Sequence, residues 1–197
     1  MRLVLASGSP RRKALLETLQ LDFDIREPDV DETRLPDEPA AAYVERLARS
    51  KAEAVAGEGL IVLAADTMVV HDGRVLGKPG HPEEARAMLR RLEGDLHEVF
   101  TGFAVGAWDG RAEVRSLVDV TEVEFLPMTE EEIADYVETG EPMDKAGAYA
   151  LQGLGGRYVK SVNGSPFTVV GLPIHLISRL VAASGGDLAA FRSGKVG

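Results

Sequence analysis

The chain has 197 residues, of which 45% are hydrophobic and 27% are charged, as in a globular domain with a sizeable core. Its formal net charge of -10 argues against general nucleic-acid binding, because most of the surface would repel a polyanion, but is compatible with a local basic pocket. The absence of cysteine excludes disulfides, thiolate nucleophiles and cysteine-ligated zinc.

The first predicted elements are a buried strand over residues 3–5 and a helix that runs to about residue 20. Ser9 is a good N-cap, and Pro10 suits the first helical position. Three cations follow in the first turn: Arg11, Arg12 and Lys13. Free amides already make a helix N-terminus positive, so cations there are unfavourable unless an anion binds. The pattern therefore indicates a bound phosphate or, alternatively, a solvated basic patch.

The remaining elements alternate between strands and helices. Strands are predicted over residues 23–26, 60–70, 99–108 and 112–125, and helices over residues 39–56, 82–94, 129–138 and 173–183. Asp109 and Gly110 form a preferred pair for a tight turn, so the two long strands around them should make a β-hairpin. This order predicts an α/β fold with three α/β/α layers, a mixed twisted sheet and one long hairpin.

Charged residues stand at three positions where the pattern calls for apolar ones. Lys51 follows Leu47 by four positions and so lies on the apolar face of its helix, where it either meets an anion or extends to a rim. Arg12 likewise shares a stripe with the leucines of its helix. Asp66 interrupts a strongly apolar strand, which indicates a catalytic or metal-binding acid or, alternatively, an aspartate that holds a loop through backbone amides.

Weaker signals lie elsewhere. Glu32 ends an acidic cluster over residues 29–32 that could supply oxygen ligands to magnesium or manganese. Lys78 is flanked by residues that allow a ligand to approach the backbone. Gln152 could bind a nucleobase edge through its amide, and Tyr149 could stack on a ligand or pack in the core. The four histidines lack metal-binding spacing and should be structural or exposed.

Taken together, these segments resemble the Maf family of nucleoside triphosphate pyrophosphatases, and the resemblance covers nearly the entire chain. Its motifs are Ala6-Ser7-Gly8-Ser9-Pro10-Arg11-Arg12, Val30-Asp31-Glu32-Thr33, Ala65-Asp66-Thr67, Gly77-Lys78-Pro79, Phe100-Thr101-Gly102, Thr139-Gly140-Glu141-Pro142, Asp144-Lys145-Ala146-Gly147-Ala148-Tyr149-Ala150-Leu151-Gln152-Gly153 and Val170-Gly171-Leu172-Pro173. Each motif is modest alone, but their joint occurrence in this order is highly specific. One departure is the run of residues 165–168, where relatives more often have Ser-x-x-Asn-Val.

The resemblance implies hydrolysis of a nucleoside triphosphate to the monophosphate and pyrophosphate with a divalent cation, Mg²⁺ or Mn²⁺. It also implies the fold of the inosine triphosphate pyrophosphatases (Ham1 type), a homodimer, and one domain over residues 1–185 with two lobes around a central cleft. We expect a flexible tail over residues 186–197.

The resemblance implies that Asp66 is the proton acceptor, that Glu32 is linked to the metal, and that Arg11, Thr67 and Gln152 set the base preference. From the misplaced charges described above, we further expect Ser7, Arg12, Lys51 and Lys78 to hold the triphosphate and Asp66 to share the metal ion with Glu32. The Ala-Tyr-x-x-Gln-Gly form looks like the subfamily that acts on dTTP and UTP.

Two other functions remain open. A related subfamily that acts on 7-methyl-GTP has Glu at the position of Gln152. The chain could also be a nucleotide-binding regulator of cell division or septum formation that does not hydrolyse its ligand, although a sensor has no need of the acids Asp66 and Glu32. We expect a nucleoside triphosphate as the partner, rather than a nucleic-acid polymer or a membrane, and a cytoplasmic location.

Overall fold

The computed structural model describes residues 1–108 and 112–194. The predicted turn at Asp109 and Gly110 therefore lies outside the described residues, as do the last three residues. The chain divides into two compact units. The first unit comprises Met1–Asp66, Thr101–Asp119 and Gly171–Gly197, and the second comprises Thr67–Phe100 and Val120–Val170.

Strands and helices alternate through most of the described chain. The strands are β1 (Arg2–Ala6), β2 (Asp24–Arg26), β3 (Leu60–His71), β4 (Arg74–Leu76), β5 (Leu96–Trp108), β6 (Ala112–Phe125) and β7 (Val159–Asn163). The α-helices are α1 (Pro10–Glu17), α2 (Ala40–Ala54), α3 (Pro82–Leu92), α4 (Glu130–Glu138), α5 (Pro166–Val170) and α6 (Ile174–Ala183). Short 3-10 helices lie at Glu141–Asp144, Ala146–Ala148, Leu154–Tyr158 and Leu188–Phe191. No helix in the described part of the chain is long and apolar enough to cross a membrane.

The strands form one mixed sheet. Hydrogen-bonded neighbours follow the order β2-β1-β3-β5-β6-β7, and β4 pairs with β3 off this path. β1 is parallel to both β2 and β3, with Leu5 opposite Leu63, whereas the β3–β4 and β6–β7 pairs are antiparallel. The predicted α/β class and mixed sheet are confirmed.

Helix α2 is fixed in the first unit by its apolar face and by one glycine. Val44, Leu47 and Ala48 are fully buried. On β5, a Cβ atom added to Gly102 would lie 2.1 Å from the carbonyl oxygen of Val44. Strand and helix therefore meet backbone to backbone, and this contact gives a physical reason for glycine in the Phe-Thr-Gly motif.

The second unit has its own core, built on helices α3 and α4. Thr129 and Glu132 form a capping box at the start of α4, and Gly140 follows the helix with a left-handed φ of 76°. Tyr136, on the inner face of α4, is fully buried, as is Phe125 at the end of β6.

The structure differs from the sequence prediction in its short elements. Runs of three to five residues show little periodicity. Among the elements of this length, β1 and β2 were predicted, whereas β4, β7 and α5 were not. The tail is also different over residues 186–194. Phe191 is buried and its carbonyl accepts a hydrogen bond from Asp22 N at 2.7 Å, so this part of the tail is packed rather than frayed.

Candidate active site

The turn between β1 and α1 holds Arg12 in a defined position. Ser9 caps α1 and Pro10 is at its N-terminus, as predicted. The Arg12 guanidinium donates through Nε to the carbonyl of Gly171 at 2.8 Å and through Nη1 to Ser7 Oγ at 3.4 Å. Burial lowers the pKa of Arg12, whereas the nearby negative charge of Asp66 opposes that shift. Arg12 is thus a tethered cation, not part of a freely solvated patch.

Lys51 lies between two carboxylates. Its side chain is 9% exposed, and Nζ is 2.7 Å from Asp66 Oδ1 and 2.7 Å from Glu32 Oε1. The predicted inward orientation is confirmed, and the lysine meets anions instead of extending to a rim. Its place in the last turn of α2 also favours a cation, since the carbonyl end of a helix is partly negative.

Asp66 and Glu32 differ in burial although both contact the same ammonium. The Asp66 side chain, on β3, is 11% exposed, whereas that of Glu32, in a segment without helix or strand, is 58% exposed. Asp66 is paired with a buried lysine, so it is not simply a residue that holds a loop. The two carboxylate oxygens converge on the Lys51 ammonium. Carboxylate oxygens are the ligands that hard divalent cations prefer, so the chemistry of these two side chains fits Mg²⁺ or Mn²⁺.

The remaining predicted site residues in the first unit and at its boundary are half-buried. Arg11 precedes Arg12 on α1, and Thr67 follows Asp66 on β3. The structure thus brings Ser7, Arg12, Glu32, Lys51 and Asp66 together within the first unit.

Lys78 and Gln152 belong to the second unit, where their two loops are joined. The backbone amide of Gly147 donates to the carbonyl of Gly77 at 3.1 Å, which links the loop of Lys78 to the segment that leads to Gln152. Both side chains are exposed. Tyr149, in contrast, is buried against Phe125 and bonds His97 Nε2 at 2.8 Å, so it packs in the core.

The histidines have structural roles within their own units. His81 caps α3 by accepting from the amide of Glu84, and His175 lies 3.4 Å from Asp119. His71 bonds Asp95 at 3.0 Å, and with Asp72 these residues place three potential ligand atoms within 4.8 Å of one another. A cation there would have to displace the His71–Asp95 hydrogen bond.

Sequence reasoning missed the partners that hold these groups. Tyr43 donates to the carbonyl of Glu32 at 2.9 Å, and Gly171 accepts from Arg12. In both contacts one partner is a backbone carbonyl, which leaves no residue-type signal at that position. The sequence offered one indication: Tyr43 and Arg46 are three residues apart in a predicted helix and therefore lie on the same face.

Comparison with known proteins matches residues 2–184 to the family described as Maf-like protein. A relative from Anaeromyxobacter sp. (strain Fw109-5), named dTTP/UTP pyrophosphatase, is 52% identical over 95% of this chain and 91% of its own length. Relatives of the same name from Anaeromyxobacter dehalogenans (strain 2CP-C) and Halalkalibacterium halodurans are 53% and 48% identical, over 95% and 93% of this chain and 96% of each relative. A solved dITP/XTP pyrophosphatase from Mycobacterium abscessus is 15% identical over 93% of this chain and 97% of its own, with a TM-score of 0.43.

Proposed function

Because the chain belongs to the Maf family, we propose that it hydrolyses dTTP and UTP to the corresponding monophosphate and pyrophosphate. The relatives described above carry that activity in their names, and they match this chain over nearly their whole length. The observation that carries the proposal is the buried Lys51 ammonium held between Asp66 and Glu32, beside the tethered Arg12. Such a cluster suits phosphoryl transfer, which depends mainly on positioning and charge neutralisation.

In this reaction, Asp66 accepts the proton of a water molecule that attacks the α-phosphorus. The P–O bond to the β-phosphate breaks, and pyrophosphate leaves with the bonding electrons. Lys51 has three N–H donors, of which Asp66 and Glu32 take two, which leaves the third to donate to a phosphate oxygen. Arg12 and the amides that follow Ser7 hold the triphosphate in line for the attack.

The charge balance of the cluster favours a divalent cation as cofactor. The carboxylates of Asp66 and Glu32 offset the positive charges of Lys51 and Arg12, so these four groups together do little to neutralise a strongly anionic triphosphate. A cation bound by Glu32 and Asp66 supplies charge neutralisation of the phosphate oxygens. We therefore propose Mg²⁺ or Mn²⁺ at these two carboxylates.

The proposal assigns further substrate contacts to residues matched by the family motifs. Lys78 binds phosphate, and Arg11, Thr67 and Gln152 set the base preference. Gln152 offers a donor and an acceptor in one amide group, which is what the edge of a pyrimidine base requires. We also propose that the protein acts in the cytoplasm as a homodimer, and a molar mass of twice the chain in light scattering would support the dimer.

The alternative is a nucleotide-binding regulator that does not turn its ligand over. Burial of a carboxylate is costly unless it is paired, and Asp66 is kept buried at the cost of a second buried charge on Lys51. A sensor gains nothing from that acid, whereas hydrolysis requires a proton acceptor. The buried pair therefore favours an enzyme.

A pyrophosphate-release assay tests the proposal. It would compare dTTP, UTP, purine triphosphates and 7-methyl-GTP, with and without Mg²⁺ or Mn²⁺. The exposed Asp24, which pairs with Arg2 at 3.5 Å, provides the matched control Asp24→Asn for Asp66→Asn. Release from dTTP and UTP that is lost only in Asp66→Asn supports the proposal. Nucleotide binding without release favours the regulator, and preference for 7-methyl-GTP favours the related subfamily.

The position of attack can be tested separately with water enriched in heavy oxygen. Attack at the α-phosphorus places the heavy oxygen in the monophosphate, whereas attack at the β-phosphorus places it in pyrophosphate. Mass spectrometry of the two products distinguishes these cases.

A further inference from the structure

The segment that carries Glu32 has no regular structure of its own. Residues 31–38, called here the Glu32 segment, form neither a helix nor a strand, and the Glu32 side chain is 58% exposed. Packing therefore does not explain why its carboxylate lies 2.7 Å from Lys51 Nζ. An exposed glutamate on an irregular segment would otherwise sample many rotamers.

Two side chains of helix α2 hold the segment by its backbone. The Tyr43 hydroxyl donates to the carbonyl of Glu32 at 2.9 Å, and Arg46 Nη2 donates to the carbonyl of Thr33 at 3.2 Å. The Arg46 guanidinium also lies 5.5 Å from the centre of the Tyr43 ring, so the two side chains support one another.

The far end of the segment is held by the same arginine. Arg46 makes a bidentate pair with Glu38, with Nε–Oε1 and Nη2–Oε2 distances of 2.7 Å. Glu38 Oε2 in turn accepts from the amide of Leu35 at 3.1 Å, and the carbonyl of Glu38 accepts from Arg34 Nε at 3.0 Å. Both ends of the Glu32 segment are thus tied to α2.

Helix α2 therefore sets both partners of the Glu32–Lys51 contact. Lys51 lies on α2 itself, eight residues after Tyr43 and five after Arg46. The distance between ammonium and carboxylate then depends on one helix and on the side chains of Tyr43 and Arg46.

We propose that Tyr43 and Arg46 are positioning residues that fix the Glu32 carboxylate against Lys51 and so set the geometry of the cation and phosphate site. The proposal rests on the proposed function for its catalytic consequence, but the placement of the segment can be tested without turnover. Neither residue is assigned a contact with substrate.

The experiment compares Tyr43→Phe and Arg46→Gln with the matched control Arg49→Gln. Arg49 lies on the same helix and also donates to a carbonyl, but its hydrogen bonds go to β6, to the carbonyl of Val114 at 2.9 Å and to Ser116 Oγ at 3.1 Å. Three readouts are used: hydrogen exchange of residues 32–38, calorimetric titration with Mn²⁺ alone, and kcat and KM for dTTP. Glu32→Gln gives the reference for loss of the carboxylate.

Faster exchange in residues 32–38 is expected in Tyr43→Phe and Arg46→Gln, with Mn²⁺ affinity and kcat each reduced by about tenfold or more, as for residues that orient metal ligands. At saturating Mn²⁺ the KM for dTTP should stay within about twofold, because neither variant removes a residue assigned to bind the nucleotide. Arg49→Gln should resemble the wild type in all three.

Two results would overturn the proposal. One is faster exchange with unchanged Mn²⁺ affinity and kcat, because the two residues would then only stabilise the segment. The other is unchanged exchange in residues 32–38. Failure of wild-type protein to release pyrophosphate would instead reject the proposed function, while exchange and Mn²⁺ binding would still decide whether Tyr43 and Arg46 position Glu32.

Discussion

Residues 145–156 of the second unit are called here the Gln152 loop. This loop and the Glu32 segment of the first unit are held by opposite kinds of hydrogen-bond partner. In the Glu32 segment, side-chain donors on α2 hold backbone carbonyls. In the Gln152 loop, one carboxylate holds backbone amides. Glu141 accepts from the amides of Leu154 and Gly155 at 3.0 Å each, and from the hydroxyl of Tyr136 at 2.7 Å.

The two kinds of hydrogen bonding require different residue types in and around the loop. Long donors can reach the carbonyls of Glu32 and Thr33 past almost any side chain, so this end of the Glu32 segment is constrained mainly through its backbone, whereas the other end also needs the Glu38 carboxylate. A carboxylate that collects neighbouring amides needs the backbone close by. A Cβ atom at Gly153 would lie 2.2 Å from Glu141 Oε2. The Gln152 loop therefore depends on glycine, and the Glu32 segment depends on Tyr43 and Arg46.

The largest effect on activity is expected for Asp66→Asn. This variant keeps the hydrogen bonds that hold both loops, so its loss of activity is the reference for the loop variants below. Hydrolysis of dTTP should fall by about a thousandfold or more, because the amide cannot accept the proton. The circular dichroism spectrum and the hydrogen exchange of both loops should be unchanged. Near-normal turnover in this variant would refute the role of Asp66.

Glu141→Gln should release the Gln152 loop while the Glu32 segment stays in place. An amide nitrogen would face a backbone N–H, so we expect the free energy of unfolding to fall by about 1–3 kcal/mol. The ratio of kcat/KM for dTTP over dGTP should fall by about tenfold, because one misplaced hydrogen bond to the base is worth about that factor. Urea denaturation and competition kinetics measure the two effects. An unchanged ratio would mean that base preference does not depend on this loop.

A pair of alanine substitutions tests whether the Gln152 loop is more sensitive than the Glu32 segment to a change of its own side chains. Gly153→Ala should displace the Glu141 carboxylate and reproduce part of the effect of Glu141→Gln. Leu35→Ala, at an exposed position of the Glu32 segment, should change stability by no more than about 0.5 kcal/mol. Equal effects of the two variants in urea denaturation would contradict the comparison.

The smallest effect is expected from pH. The Arg46 hydrogen bond is the main cause that lowers the pKa of Glu38 from 4.5 to about 2. A carboxylate with a lowered folded-state pKa stabilises the fold above its unfolded pKa and loses that contribution as the pH falls through the folded value. The stability difference between wild type and Glu38→Gln should therefore be constant above about pH 4.5 and shrink toward pH 2, as measured by urea denaturation at each pH.

Sequence alone could predict the positions at which a charged residue stands in an otherwise apolar pattern. Lys51 on an apolar helical face and Asp66 in an apolar strand both indicated buried charges, and the structure pairs them at 2.7 Å. The start of α1 followed from Ser9 and Pro10 because capping is local. The phosphate, metal and base roles assigned by resemblance stay predictions.

The hydrogen bonds that hold the loops could not be predicted from the sequence. Arg12 reaches the carbonyl of Gly171, 159 positions away, and any residue type would offer the same carbonyl there. Glu141 was visible as a motif residue, but its partners are amides that every non-proline residue has. Short β4 and β7 form through pairing with neighbouring strands, so their own sequences hold too little information.

The contact of Gly102 with the carbonyl of Val44 has a mechanical consequence for the helix that carries Tyr43, Arg46 and Lys51. Most helix–strand contacts contain a layer of side chains that can change rotamer and absorb a displacement of a few tenths of an ångström. Gly102 has no side chain that could move in this way. Any movement of the start of α2 toward β5 would bring main-chain atoms of the helix and the strand too close together, which limits the movement of that end of the helix in this direction.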